Sequence, residues 1–100
     1  MGSLARTIIG TYTNQTITIT PNFYQKVKFT VLPQSTGTAA LTLNAGTFGG
    51  VAANGITLSA GSDGNLSSYT TGDGTGFVTA ASIIIGSGCT VIVEGFIYTL

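Results

Sequence analysis

The sequence contains no histidine and no tryptophan, and only 6% of its residues are charged. Histidine is the commonest general base and metal-binding side chain at neutral pH, so neither a Ser-His-Asp nor a Cys-His catalytic arrangement can be assembled from this chain. Its three carboxylates are Asp63, Asp73 and Glu94. Two of them stand in Asp-Gly pairs, where a solvated turn is expected rather than the carboxyl pair of a glycosidase cleft. These absences predict that the protein is not an enzyme.

Positive charge is equally scarce, because the basic residues are Arg6, Lys26 and Lys28 alone. Three cations are too few for the electrostatic footprint of a protein that binds nucleic acid or an anionic membrane. The formal net charge is zero, and 43% of the chain is hydrophobic. Low net charge and high hydrophobicity both promote association. The composition therefore predicts a homo-oligomer that has neither nucleic acid nor a membrane as its partner.

Cysteine is limited to Cys89, so no disulfide can form within the chain. No histidine or basic residue stands near it to lower its pKa, and it is predicted to be a small buried side chain rather than a reactive thiol. No apolar run reaches the ~18 residues of a transmembrane helix. The N-terminus also lacks the apolar stretch and cleavage pattern of a signal peptide.

Threonine, serine, asparagine and glycine supply most of the polar residues, and they suit strands and turns better than helices. Apolar residues recur at every second position in several segments, which is the period of a β-strand. No segment has a convincing helical period. The alternation predicts about eight strands: Ala5 to Tyr12, Thr16 to Thr20, Tyr24 to Leu32, Ala39 to Asn44, Ile56 to Ser59, Leu66 to Thr70, Phe77 to Ile85 and Cys89 to Leu100.

Eight short strands separated by turn residues are typical of an all-β sandwich or barrel. The sequence predicts one domain over residues 1–100, an antiparallel β-sandwich with a jelly-roll-like arrangement. Gly10 marks a possible β-bulge in the first strand. The residues predicted to face the core are Ile17, Ile19, Val27, Phe29, Val31, Leu41, Leu43, Ile56, Leu58, Val91, Val93 and Ile97.

The final segment, CTVIVEGFIYTL, is apolar on both of its faces. A strand that is solvated on one side would alternate apolar with polar residues, so this one is predicted to be central in its sheet. Its second apolar stripe consists of Ile92, Phe96 and Tyr98, and a monomer of this size does not normally leave such a stripe in water. We expect a partner to cover it.

Lys26 and Lys28 fall on the polar side of their predicted strand and admit two interpretations. The favoured one is that they are gatekeeping charges on a solvated strand surface. The other is that one of them pairs across strands with Glu94, the only carboxylate within a predicted strand.

Asp63-Gly64 and Asp73-Gly74 carry the dipeptide preferred in tight type I′ hairpin turns. Asp63, Asn65 and Asp73 could also contribute oxygen ligands to Ca²⁺ if the two turns met. Six to eight oxygens are needed and no bidentate Glu follows, so turns are favoured. We predict no metal site and no cofactor.

The segments ITITPNFYQKVKFTV, ALTLNAG and GFVTAASIIIGSGCTVIVEGFIYTL, with a glycine-rich middle, resemble small β-sandwich proteins of tailed bacteriophage virions. Head decoration (cement) proteins and fibre-tip domains are the nearest in character. The likeness covers nearly the whole chain and includes the closing pattern of Thr90, Val91, Val93, Gly95 and Phe96. It carries no site motif. It implies a structural role, in which small trimers or dimers bind the major capsid protein on the exterior of the phage head and reinforce the lattice.

Two classes of function therefore compete. A capsid decoration protein, with a trimer favoured, accounts for the scarcity of charge, of tryptophan and of polar clusters. A receptor- or carbohydrate-recognition module, such as a tail-fibre tip, would use aromatic residues in the loops, and Phe48 and Tyr69 are the candidates. The first interpretation is favoured.

Overall fold

The computed structural model describes residues 3–20, 23–43, 54–60, 65–71, 78 and 81–99. Within these ranges the secondary structure is entirely β. The strands are β1 (Ser3–Thr13), β2 (Thr16–Thr18), β3 (Lys26–Val31), β4 (Ala39–Leu43), β5 (Asn54–Leu58), β6 (Ser68–Thr71), β7 (Ala81–Ile85) and β8 (Thr90–Thr99). This confirms the predicted all-β class.

The eight strands form two four-stranded antiparallel sheets. Sheet A has the order β1-β8-β3-β6, and sheet B has the order β2-β7-β4-β5. The pairings are nested, because β1 pairs with β8, β2 with β7, β3 with β6 and β4 with β5. A long eight-strand hairpin rolled into two sheets gives this order, which is the jelly roll. The predicted jelly-roll-like sandwich is therefore confirmed.

The core lies between the sheets and consists of the inward positions of nearly every strand. In β3 the burial alternates strictly, with Val27, Phe29 and Val31 buried and the lysines on the other side. Ile19, Leu41, Leu58, Val91 and Val93 are buried as predicted. Ile17 and Ile56 are partly buried against this core. Ile97 is half-buried, and the side chain of Leu43 lies outside the described residues.

Strand β8 is central in sheet A, as its two apolar faces predicted. It pairs with β1 on one side and with β3 on the other. Its inward row continues from Val91 and Val93 to Gly95, and a Cβ at Gly95 would collide with the ring of Tyr24. Glycine is needed there because Tyr24 lies across the strand and packs against the core.

Strand β1 contains a β-bulge at the position where the sequence predicted one. The register shifts between Ile8, opposite Glu94, and Gly10, opposite Val93. The phenolic hydroxyl of Tyr12 donates to the carbonyl oxygen of Ile9 at 3.3 Å. A side chain at Gly10 would collide with the Tyr12 ring. The bulge is thus held in place by the tyrosine that follows it.

The chain passes between the two sheets through short corners. Asn14, at φ +50°, turns the chain from β1 to β2, and asparagine tolerates this left-handed conformation better than most residues. Gly88, at φ +78°, occupies the corner between β7 and β8. Both corners fall between segments that the sequence predicted as strands.

The described strands that flank the two predicted Asp-Gly turns do not pair with each other. Asp63-Gly64 and Asp73-Gly74 lie outside the described residues, but the strands on either side of each pair belong to different sheets. A hairpin requires its two flanking strands to pair with each other. The predicted strand from Leu66 is also displaced, because β6 begins at Ser68 and Leu66 makes only an isolated bridge to Leu58.

Truncating Phe29 tests the position of the core. Phe29 is fully buried, so Phe29→Ala should lower the free energy of unfolding by about 3–5 kcal/mol. This is a large share of the ~5–15 kcal/mol that stabilises a typical domain. Urea denaturation followed by circular dichroism measures it. Ile84→Ala is the control, because Ile84 is 55% exposed; equal losses for the two variants would contradict the assigned core.

Two threonines of sheet A provide a matched test of hydrogen bonding. The buried Thr71 hydroxyl donates to the Val27 carbonyl oxygen at 3.0 Å, whereas the shielded Thr30 hydroxyl has no partner among the described residues. Thr71→Val should therefore cost about 1 kcal/mol, and Thr30→Val should be neutral or stabilising. Urea titrations of both variants check this. A larger loss for Thr30→Val than for Thr71→Val would refute the assignment.

Candidate functional site

The outer side of sheet A brings together residues that are distant in the sequence. Phe96 of β8 has Arg6 of β1 opposite it on one side and Lys26 of β3 on the other. Cross-strand partners share a face of the sheet, so these side chains lie on the side away from the core. We call this surface the basic face. It is defined by Arg6, Ile8, Lys26, Lys28, Ile92, Glu94 and Phe96.

Glu94 is the only carboxylate that the described residues place on the basic face, and its partner is Arg6. The distance from Arg6 Nη1 to Glu94 Oε2 is 3.1 Å, and the two side chains are 62% and 13% exposed. The register places Lys28 directly opposite Glu94, but the ion pair recorded among the described residues is made by the arginine. The gatekeeping interpretation of the lysines is therefore the better supported one. A pair that is this exposed on one side contributes little to stability.

The apolar members of the basic face are only partly covered. Ile92 and Phe96 are half-buried, and Ile8 is 52% exposed. Ile92 lies opposite Thr11 and Thr30 in the ladder. The two predicted interface residues, Ile92 and Phe96, therefore lie on the outer side of β8 with Glu94 between them, as the alternation of β8 indicated.

The other predicted interface residues do not join this surface in the described part of the chain. Tyr69 belongs to β6, where it is partly buried and packs against the core, so it does not lie at a loop tip. Phe48 lies outside the described residues, and so does the side chain of Tyr98. The structure therefore brings together Ile92 and Phe96, and it separates Tyr69 from them.

Sequence reasoning missed Arg6 and Ile8 as members of the basic face. The sequence alone does not place Arg6 beside Glu94, because the partners of a strand cannot be read from its own sequence. The bulge at Gly10 also breaks the period of β1, which hides the side on which Ile8 lies. A usable signal was Glu94, a carboxylate in a central strand that needed a cation from an adjacent strand.

The outer side of sheet B has a different character. We call it the neutral face, defined by Thr16, Thr18, Ala40, Thr57, Ser82 and Ile84. None of these residues is charged, and Ile84 is 55% exposed. This exposure is hard to predict from the sequence, because Ile83, Ile84 and Ile85 form one continuous apolar run. Only the sheet partners reveal that the middle isoleucine points outward.

Cys89 lies at the start of β8 and is fully buried, as predicted. Burial raises the pKa of its thiol, and a hydrogen bond with Ser35 opposes this with a smaller effect. The Ser35 hydroxyl oxygen also accepts from the backbone N–H of Thr90 at 3.0 Å. A buried thiol whose pKa is raised is a poor nucleophile, so the arrangement is structural.

The described residues contain no cluster of three or more side chains able to hold a metal ion. Of the three residues considered for calcium, Asp63 and Asp73 lie outside the described ranges, while Asn65 lies within them. In the same part of the chain, no helix is long and apolar enough to cross a membrane.

Comparison with known proteins identifies no relative of this chain. No protein-family model matches the chain, and neither the curated proteins nor the solved structures contain a significant match.

The buried thiol provides a test of local packing. In the folded protein at pH 8, Cys89 should react with a thiol reagent far more slowly than in the urea-unfolded chain, because it is both inaccessible and protonated. Its labelling rate should rise in parallel with unfolding. Fast labelling of the folded protein would contradict the burial.

The raised pKa also sets the sign of a pH effect. Above about pH 8.5, where the thiol of an unfolded chain ionises, the folded state keeps its proton and the unfolded state loses it. Stability should therefore be fully present below that pH and decrease as the pH rises. Cys89→Ala, measured by urea denaturation over the same range, should lack this component of the decrease.

Proposed function

We propose that this protein is a structural virion protein, a decoration or cement protein that binds the major capsid protein on the exterior of a tailed-phage head and stabilises the lattice. In this role it acts as a homo-oligomer, with a trimer favoured. The proposal requires surfaces that bind other proteins and no catalytic centre.

The fold supports a role in assembly. Jelly rolls, in which eight strands form two sheets through nested pairing, recur in viral capsid domains and also in lectin domains and cupins. Fold alone does not choose among these functions. The choice among these functions depends on the side chains that the protein exposes.

The observation that carries the proposal is the partly exposed apolar stripe on the outer side of β8. Ile92 and Phe96 lie on the central strand of sheet A, and Ile8 extends the stripe onto β1. Central strands normally place polar residues on a solvated side. Exposed apolar groups rimmed by charge are typical of protein interaction sites, and a lattice of coat proteins offers such a site many times over.

The alternative, a receptor- or carbohydrate-recognition module, has less support. It relied on Phe48 and Tyr69 as aromatic groups presented by loops. Tyr69 is instead a strand residue that packs against the core, which leaves the ring little free area on which a sugar could stack.

Replacing Phe96 by serine tests the proposal. Phe96→Ser removes an apolar group from the outer side of β8 without touching the buried core, so the variant should remain a folded β protein. We expect it to lose assembly, either as a lower mass in light scattering or as loss of co-sedimentation with expanded phage shells. Phe23→Ser is the matched control, since Phe23 is 51% exposed and stands outside β8.

The wild-type protein sets the reference for this experiment. If it stays monomeric at high concentration and does not bind shells, the proposed function is wrong. Retained assembly in Phe96→Ser, with loss in Phe23→Ser, would move the interface away from β8. Binding of the wild type to a glycan array would instead favour the recognition module.

A further inference from the structure

All of the positive charge of this protein lies on one face of one sheet. The chain has three basic residues, Arg6, Lys26 and Lys28, and the register of sheet A places all three on the basic face. Among the described residues, Glu94 is the only acidic one on this face. Its described side chains, three positive and one negative, therefore carry a net charge of +2, although the whole chain is formally neutral.

Apolar and charged side chains alternate on this face. Phe96 lies between Arg6 and Lys26 in one row of the sheet. In the next row Glu94 lies between Ile8 and Lys28. Because Glu94 is paired with Arg6 at 3.1 Å, the two lysines carry the charge that remains uncompensated on this face.

We propose that the basic face binds a protein surface that presents carboxylates around an apolar patch. The inference rests on the proposed function, because it names the chemistry that the shell protein would show to this face. The carboxylates of the partner meet Lys26 and Lys28, while its apolar patch covers Ile92, Phe96 and Ile8. Charge complementarity of this kind favours the correct partner and speeds its association.

A second copy of the chain does not fit this face. Two basic faces brought together would place four lysines and two arginines against only two glutamates, and like charges opposed across an interface are unfavourable. Self-association therefore uses a different surface. The neutral face, uncharged and with Ile84 exposed, lacks this repulsion.

Nucleic acid does not fit it either. A phosphate backbone is bound by neutralising many phosphates with lysine and arginine, whereas this face has two uncompensated lysines. Its central Ile8, Ile92 and Phe96 would have no apolar partner on a duplex. The mixture of apolar and basic side chains is better matched by a protein surface.

Random copolymers of known composition serve as probes. Poly(Glu,Tyr) supplies carboxylates and apolar rings, polyglutamate supplies carboxylates alone, and poly(Lys,Tyr) reverses the charge. Each is titrated into the isotope-labelled protein at about 0.1 M salt, and backbone amide shifts are followed by NMR. Poly(Glu,Tyr) should shift amides of β1, β3 and β8 and leave those of sheet B unchanged. Polyglutamate should bind more weakly, and poly(Lys,Tyr) should not bind.

The test is sharpened by variants that change the charge of the basic face in opposite directions. Replacing both lysines (Lys26→Gln with Lys28→Gln) should weaken binding of poly(Glu,Tyr) by about tenfold, while Glu94→Gln should strengthen it by about threefold. Ile84→Thr, on the neutral face, should leave it unchanged. Raising the salt to about 1 M shortens the screening length from about 10 Å to about 3 Å, and it should abolish the difference between the charge variants.

Several results would overturn the inference. They include absence of binding, shifts confined to sheet B, equal affinity of the lysine variant, or weaker binding by Glu94→Gln. Equal binding of polyglutamate would remove the apolar part of the proposal, and a DNA duplex that bound the same amides as tightly would replace the protein partner by nucleic acid.

The inference and the proposed function can fail separately. If phage shells ignore the protein while poly(Glu,Tyr) binds as expected, the function is wrong and the inference holds. If shells bind the wild type and the lysine variant equally at low salt, the function stands and the inference is wrong. If Phe96→Ser loses shell binding but keeps its oligomeric mass, both are supported. If Phe96→Ser instead loses its oligomeric mass, the basic face mediates self-association, and the inference is wrong while the function stands.

Discussion

Strand β8 is the element on which sheet A depends. It is hydrogen-bonded to β1 along nearly its whole length and to β3 on the other side, so it joins the edge strand β1 to the rest of the sheet. Its inward residues Val91 and Val93 are fully buried. Gly95 continues this row without a side chain and lets the Tyr24 ring lie across the strand. Core packing and the geometry of the outer surface therefore share one strand, and a change that displaces β8 alters both.

The two outer surfaces of the sandwich differ in the property that decides what they can bind. The basic face carries every cation of the chain, whereas the neutral face is built from threonine, serine, alanine and one exposed isoleucine. A protein with 6% charged residues has little charge to spread over its surface. Concentrating the cations on one side gives a nearly neutral molecule two unlike sides, which suits a subunit that must bind one kind of neighbour and not another.

The inward residues of the strands could be predicted from the sequence, because alternation at period two is a local signal. The burial of Val27, Phe29 and Val31 could be predicted from the sequence of β3 alone. The sheet order could not be predicted, since it depends on which distant strands pair. An Asp-Gly pair likewise favours a turn, but nothing in the dipeptide says whether the flanking strands share a sheet. Ile84 was hidden in an apolar run, and its exposure follows only from its strand partners.

The bulge in β1 explains how the core and the basic face are made compatible. Tyr12 packs against the core, and in a regular strand every residue an even number of positions away would share its side. Arg6 would then point into the core. The extra residue at Ile9 reverses the alternation, so Arg6 lies outward beside Glu94 while Ile9 and Tyr12 both pack inward. Gly10 permits the close approach of the Tyr12 ring that holds this geometry. The one inserted residue therefore places Arg6 beside Glu94 and keeps the arginine out of the core.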